Sequence, residues 1–186
     1  DEGRRLIGQV VDRFGRVDIL VNTAGIFDVG PSEEFSEVRW DAVVSTKLKG
    51  AFFCTAAAIP SMRKAGWGRV ITVSANPKPY PGAAAYRAAN AAIGALTTTW
   101  ALEYGRSGIT FNEIRPGVID TPATEPITTN PAMLAHTVKG IPAGRIGTSG
   151  EVAAAAVYLA SDDARYIQGA SLVIDGGLRL GWSYSD

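Results

Sequence analysis

The amino-acid sequence predicts a single α/β domain, residues 1–186, in which helices cover both faces of a parallel sheet. Three observations predict it. Short apolar runs alternate with helical patterns along the chain, the order that specifies a parallel sheet. The first such run, Val17-Asp18-Ile19-Leu20-Val21-Asn22, is of the kind buried on both faces. A length of 186 residues leaves room for one real core and not comfortably for two.

Each element follows from its residues. Leu6, Ile7, Val10, Val11 and Phe14 fall on one face of a helix that Gly15 stops. The strand over residues 17–22 ends in Thr23-Ala24-Gly25, small residues where the backbone must turn tightly, and residues 26–36 read as loop. From Glu37 to about Lys64 the pattern is helical, with Trp40, Val43, Val44, Leu48, Phe52 and Phe53 on or near one side. Pro60 is expected to bend that helix or end it early. Gly66 and Gly68 bracket a turn before a second strand, Arg69 to Ser74. A Pro- and Gly-bearing loop, Asn76 to Gly82, leads to an Ala-rich helix from about Ala83 to Tyr104. A third strand, Ile109 to Ile114, follows Gly108. Residues 116–148 carry five prolines and four glycines and read as an extended loop with short helical pieces. Loops of that length in a compact domain are usually functional. A helix from Glu151 to Leu159, behind a Ser149-Gly150 start, and a strand from Ala170 to Ile174 complete the pattern.

Composition narrows the function. Apolar residues make up 46% and charged residues 19%, ordinary values for a globular protein. Eighteen basic and eighteen acidic side chains cancel, so there is no electrostatic case for nucleic acid or for an anionic membrane. No apolar run is long enough to span a bilayer, and no signal peptide is seen. The lone Cys54 lies in the apolar run Ala51-Phe52-Phe53-Cys54 and reads as a small core residue in a reducing, cytoplasmic compartment. The single His136 has no partners at ligand spacing, so no metal site is expected.

A set of motifs then falls in a telling order: Asn22-Thr23-Ala24-Gly25, Trp40-Asp41, Gly68 to Ser74, Tyr86, Pro116-Gly117-Val118-Ile119-Asp120-Thr121-Pro122, and Asp175-Gly176-Gly177. Together, over nearly the whole chain, they resemble the short-chain dehydrogenase/reductase family. The resemblance implies a Rossmann-type doubly wound sheet with NAD or NADP lying across the carboxyl ends of its strands. It also implies an oxidoreductase that interconverts a small-molecule carbonyl and a secondary alcohol. The family's Gly-rich turn, which cradles the pyrophosphate, should lie upstream of Asn22. Residues 1–21 contain a helix and one strand but no such turn. The expectation is therefore the C-terminal part of the fold, about four strands, without the N-terminal Gly-rich βαβ unit. The strand ending at Asn22 would then have an open edge needing another chain or a reorganised border. The helices over 37–64 and 83–104 match the family's usual dimer interface, so a homo-oligomer is expected.

The family's chemistry uses a Tyr hydroxyl as general acid or base, a Lys four residues later to support it, a Ser at the preceding strand end to hold the substrate oxygen, and an Asn in the long helix to complete a proton relay. Spacing of i to i+4 puts Tyr and Lys on one helix face, where the ammonium lowers the phenol pKa and binds the nicotinamide ribose. Tyr86 matches the Tyr. Asn90 stands at the Lys position and offers hydrogen bonds without charge. The family's Asn should follow Trp40-Asp41 by six residues, which is Lys47, so Lys and Asn have exchanged places. Either Lys47 delivers its ammonium to the same pocket from the other helix, or it is a solvated helix lysine. At the Ser position stands Ala75, with Ser74 one residue early; Ser74 either rotates into the site or caps the strand end. By resemblance, Pro116, Gly117, Ile119 and Thr121 meet the nicotinamide end of the cofactor, and Asn22, Ala24 and Gly25 lie beside the adenine ribose. Two other functions stand against the oxidoreductase: a catalytically impaired protein that keeps the fold for association, and a cofactor-independent lyase or isomerase in which Tyr86 and Lys47 move protons.

Overall fold

The apolar runs become the strands of a four-stranded sheet, and the helical patterns cover its faces. A computed structural model describes residues 2–75 and 80–181; Asp1, residues 182–186 and residues 76–79 of the Asn76–Gly82 loop lie outside the described residues. In chain order come α1 (Glu2–Phe14), β1 (Ile19–Asn22), α2 (Glu37–Val44), a π-helical turn (Ser45–Lys49), α3 (Gly50–Ala65), β2 (Gly68–Val73), α4 (Ala84–Tyr104), β3 (Ile109–Pro116), β4 (Ile119–Asp120), α5 (Glu125–Thr128), α6 (Pro131–Lys139), β5 (Gly147–Thr148), α7 (Ser149–Ala160) and β6 (Ser171–Ile174). The main sheet has the order β1-β2-β3-β6, all parallel. Strands β4 and β5 form a short parallel pair of their own.

Alternation along the strands sorts the core into two layers. Val70, Ile109 and Phe111 point to one face and bury against Ile7 of α1, Ala58, Ile59 and Met62 of α3 and Trp100 of α4. Ile71 and Ile114 point to the other and bury against Leu159 of α7 and Ala164. Both central strands are covered on both sides, which is why they read as continuous apolar runs. A third, smaller cluster joins Val43 of α2 to Ala85 and Ala89 of α4, fixing the start of α4 against the helix that follows β1.

Several expectations are corrected. Pro60 does not end its helix, which runs on to Ala65, where Gly66 caps it with φ 66°. The irregularity lies earlier, at the π-helical turn over Ser45–Lys49. Taken as one helix, Glu37–Ala65 is long and apolar enough to cross a membrane by length and composition, contrary to the absence of any such run expected from the sequence. Its residues Val43, Ala51, Thr55, Ala58, Ile59 and Met62 are buried against the rest of the domain. Helix α7 begins at Ser149, two residues before the expected Glu151, because Thr148 accepts from the Glu151 N–H and Glu151 accepts in return from the Thr148 N–H. Cys54 is partly buried against the first core cluster, and His136 is exposed in the last turn of α6. Among the described residues β1 pairs only with β2, and Ile19 and Val21 are 46% and 41% exposed on it.

Candidate active site

The carboxyl ends of β1, β2 and β3 bring the loop after Asn22, the Val73-Ser74-Ala75 segment and the Pro116-Gly117 turn to one border of the sheet, as a parallel arrangement must. The first turns of α4 stand over that border and carry Tyr86 and Asn90. The Phe27 ring meets the Tyr86 ring edge-on, with centroids 5.1 Å apart and an interplanar angle of 86°. Burial pushes the Tyr86 phenol above its ordinary pKa, and a hydrogen bond from Asn90 opposes that rise. Asn90 is buried, and its Nδ2 donates to the Tyr86 carbonyl at 2.7 Å. Its Oδ1 is buried with no hydrogen-bond partner among the described residues, which leaves an acceptor available.

Lys47 reaches the same border from the other side. Val43 is pinned against Ala85 and Ala89, so the π-helical turn that follows packs on α4 as well. The wide turn directs Lys47 inward, where it is only 6% exposed. Its Nζ donates to the Val73 carbonyl at 2.9 Å, at the end of β2. Its aliphatic stem crosses Gly25; a Cβ added there would stand 2.6 Å from Cε and 2.8 Å from Nζ, so the bare backbone is what admits the lysine. Burial lowers the Lys47 pKa from 10.5 to about 8, because an ammonium loses its hydration in this position. Lys47 is thus not a solvated helix lysine.

Ser74 does not turn into the site. It is buried, and its hydroxyl donates to Glu113 Oε1 on the adjacent strand β3. Glu113 is fully buried and collects Ser171 Oγ at 2.5 Å and Arg115 Nε at 2.8 Å on its other oxygen. A buried carboxylate needs such donors, and this demand fixes Ser74. Sequence motifs did not single out Glu113; the signal was an acidic residue inside the apolar run Ile109–Ile114. Ala75, which follows Ser74 at the end of β2, carries no hydroxyl.

The remaining positions are framed by backbone. Asn22 turns its amide inward, donating to Thr55 Oγ1 and Thr72 Oγ1 at 3.2 Å each, while Ala24 and Gly25 are exposed. The Gly117 N–H donates to the Ile174 carbonyl at 2.8 Å. A Cβ on Gly117 would lie 2.7 Å from Asp175 Cβ, so the Pro116-Gly117 and Asp175-Gly176 turns pack backbone to backbone. Ile119 is buried, and its carbonyl accepts from Thr124 Oγ1 at 2.6 Å and from Thr121 Oγ1 at 3.4 Å. The Thr121 N–H donates to Thr124 Oγ1 at 3.1 Å, which holds this segment in a capped turn.

Comparison with known proteins agrees with this layout. A family profile described as enoyl-(acyl carrier protein) reductase matches residues 1–179. The chain belongs to the short-chain dehydrogenase/reductase family. Within it, the chain is 38% identical over 180 residues to the 3-oxoacyl-(acyl-carrier-protein) reductase FabG of Thermotoga maritima, covering 96% of this chain and 72% of that protein. It is 39% identical over 184 residues to a D-beta-hydroxybutyrate dehydrogenase of Rhizobium meliloti, covering 92% and 71%. Among solved structures, a gluconate 5-dehydrogenase from Burkholderia cenocepacia, in complex with NADP and tartrate, superposes with a TM-score of 0.92 at 31% identity, covering 97% of this chain and 71% of that one. The chain is thus a Rossmann-type short-chain dehydrogenase/reductase domain in which the helix carrying Tyr86 and Asn90 packs against the turn carrying Lys47.

Proposed function

We propose that this chain carries the acid–base centre and the nicotinamide end of an NAD(P)(H)-dependent oxidoreductase that interconverts a small-molecule carbonyl and a secondary alcohol. The observation that supports it best is the buried Lys47 ammonium on the π-helical turn packed against the helix that bears Tyr86 and Asn90. Tyr86 gives or takes the proton at the substrate oxygen. Lys47 supplies the positive charge that favours the tyrosinate, from the opposite helix to the one the family uses. With a pKa of about 8 it can also hold or pass a proton near neutral pH. Ser74 takes no part, since its hydroxyl serves Glu113.

The residues present suit a nicotinamide nucleotide. The orphaned Asn90 Oδ1 is an acceptor for a ribose hydroxyl. Pro116, Gly117, Ile119 and Thr121 frame the carboxamide side, and Ala24 and Gly25 present bare backbone on the adenosine side with Asn22 beneath them. When bound, that cofactor supplies or accepts the hydride at the carbinol carbon. The helices over 37–64 and 83–104 are proposed to join two copies of the chain, with Val38, Trp40 and Leu102 exposed on them. The test is titration of the purified chain with NADH and with NADPH, followed by turnover on a panel of ketones. Binding, together with a loss of turnover in Lys47→Asn, is the expected result. No measurable binding at millimolar nucleotide would overturn the oxidoreductase reading.

A further inference from the structure

We propose that Phe27 and Tyr80 form an aromatic wall beside Tyr86 that selects ketones and secondary alcohols bearing an apolar ring, over polyhydroxylated or anionic substrates. This names a substrate class for the site and rests on the oxidoreductase reading. Phe27 stands edge-on to Tyr86 at 5.1 Å, and the Tyr80 ring lies 6.4 Å from Phe27. Such separations are those of interacting aromatic pairs. The two wall residues keep faces free, Phe27 being 50% exposed and Tyr80 40%. A half-exposed Phe27 ring against Tyr86, extended by the Tyr80 ring beyond it, offers a ligand an aromatic surface to stack on beside Tyr86.

The wall is fixed before any ligand arrives. Asp28, next to Phe27, is gripped by Arg39 through Nε–Oδ2 at 2.9 Å and Nη2–Oδ1 at 2.5 Å. Arg39 also donates to the Val29 carbonyl at 3.1 Å and lies over the Phe35 ring at 4.2 Å. The loop carrying Phe27 is tied to the loop carrying Tyr80 by the Gly30 N–H, which donates to the Gly82 carbonyl at 2.8 Å. That approach needs a glycine at 82, where φ is 78° and an added Cβ would stand 3.2 Å from Gly30 N. A preorganised apolar surface spends little entropy on ordering and so favours rigid apolar partners.

Charge at the wall is already committed. The Asp28 carboxylate is neutralised by Arg39 and held below its ordinary pKa by that pairing. Arg87, felt by Tyr80, is itself engaged. Lys47 is bound to the Val73 carbonyl. A polyol meets ring faces here with the two phenol hydroxyls as donors, and a carboxylate meets an Arg39 guanidinium already paired with Asp28.

The experiment measures binding of α-tetralone and of gluconate to the purified chain by ligand-observed saturation-transfer NMR, without requiring turnover. Wild-type protein is expected to bind α-tetralone and not gluconate. Phe27→Ala should weaken α-tetralone on the order of tenfold, and Phe27→Leu less, because aromatic contacts carry the difference. Circular-dichroism melting establishes that the variants are folded. Gluconate binding at least as well as α-tetralone, no α-tetralone binding, or a folded Phe27→Ala with unchanged α-tetralone affinity would overturn the proposal. Nucleotide titration decides the oxidoreductase reading separately. A chain that binds α-tetralone through Phe27 but binds neither NADH nor NADPH would retain the aromatic wall and lose the proposed reaction.

Discussion

Replacing Lys47 with Met keeps an unbranched side chain of similar length and removes the charge, which isolates what the buried ammonium does to the fold. Burial takes the Lys47 pKa from 10.5 to about 8, and a drop of that size corresponds to about 3 kcal/mol against the charged form at neutral pH. The folded chain therefore binds fewer protons than the unfolded chain between these two values. Stability must rise with pH across that window, and the full penalty applies below it. A neutral amine donating to the Val73 carbonyl returns about 1 kcal/mol that Met cannot supply. Lys47→Met is then expected to be about 2 kcal/mol more stable than wild type at neutral pH and about 1 kcal/mol less stable above about pH 10.5. Urea unfolding of both proteins at intervals from neutral to alkaline pH measures the crossing. Parallel stability curves would refute the reasoning, because they would mean Lys47 carries no buried charge to relieve.

Three further perturbations test the surrounding contacts. Gly25→Ala places a Cβ against the Lys47 stem; it should return the Lys47 pKa toward 10.5 as the ammonium moves out to water, and in urea unfolding flatten the rise of stability with pH between the two values. Ser74→Ala takes a donor from the fully buried Glu113 and should cost about 1–3 kcal/mol in the same assay, while leaving nicotinamide-nucleotide affinity unchanged; a loss of affinity without loss of stability would return Ser74 to the site. The Glu151 carboxyl is held at about 2 by Arg145 first and by the Thr148 N–H next. Its folded-state pKa is depressed, so its contribution is present above the ordinary value and lost as pH falls through about 2; NMR titration of Glu151 should move up in Arg145→Gln.

Most of the fold was legible because its two central strands are buried on both faces, whereas β1, read from its apolar run as buried, is half exposed. Val70 and Ile71 face opposite layers yet are both apolar, so β2 appears in the sequence as an unbroken run. Periodicity located α4 to within a residue for the corresponding reason: Ala85, Ala89, Ile93, Thr97 and Trp100 recur on one buried face. Pro60 misled because a proline rule speaks of the isolated helix, whereas here packing on both flanks holds the turn through it. At the site, motif spacing singled out Tyr86, Lys47 and Asn90, which the structure brings onto adjoining elements. Whether Lys47 points inward could not be read, because that depends on the phase of a helix with one widened turn. In the structure Val43, Lys47, Ala51 and Thr55 are buried at steps of four, and four residues of α-helix overshoot a full turn by about 40° each time. The π-helical turn at Ser45–Lys49 takes up part of that drift. Glu113 escaped motif reasoning because its partners Ser74 and Ser171 lie on neighbouring strands and meet it only through the register of the sheet.

The widened turn at Ser45–Lys49 also separates two packing obligations that a regular helix would couple. Val43 answers to the start of α4, while Ala58 and Met62 answer to the core cluster built by α1, β2, β3 and the far end of α4. A residue gained or lost within such a turn is taken up by unwinding or tightening one loop of backbone, and neither flank has to rotate. Length at this point is thus negotiable where elsewhere in the helix it is not. An ancestor differing by a single residue here would keep the same two faces and change only which side chain is presented inward, so the chemistry of this border could be altered by insertion as readily as by substitution.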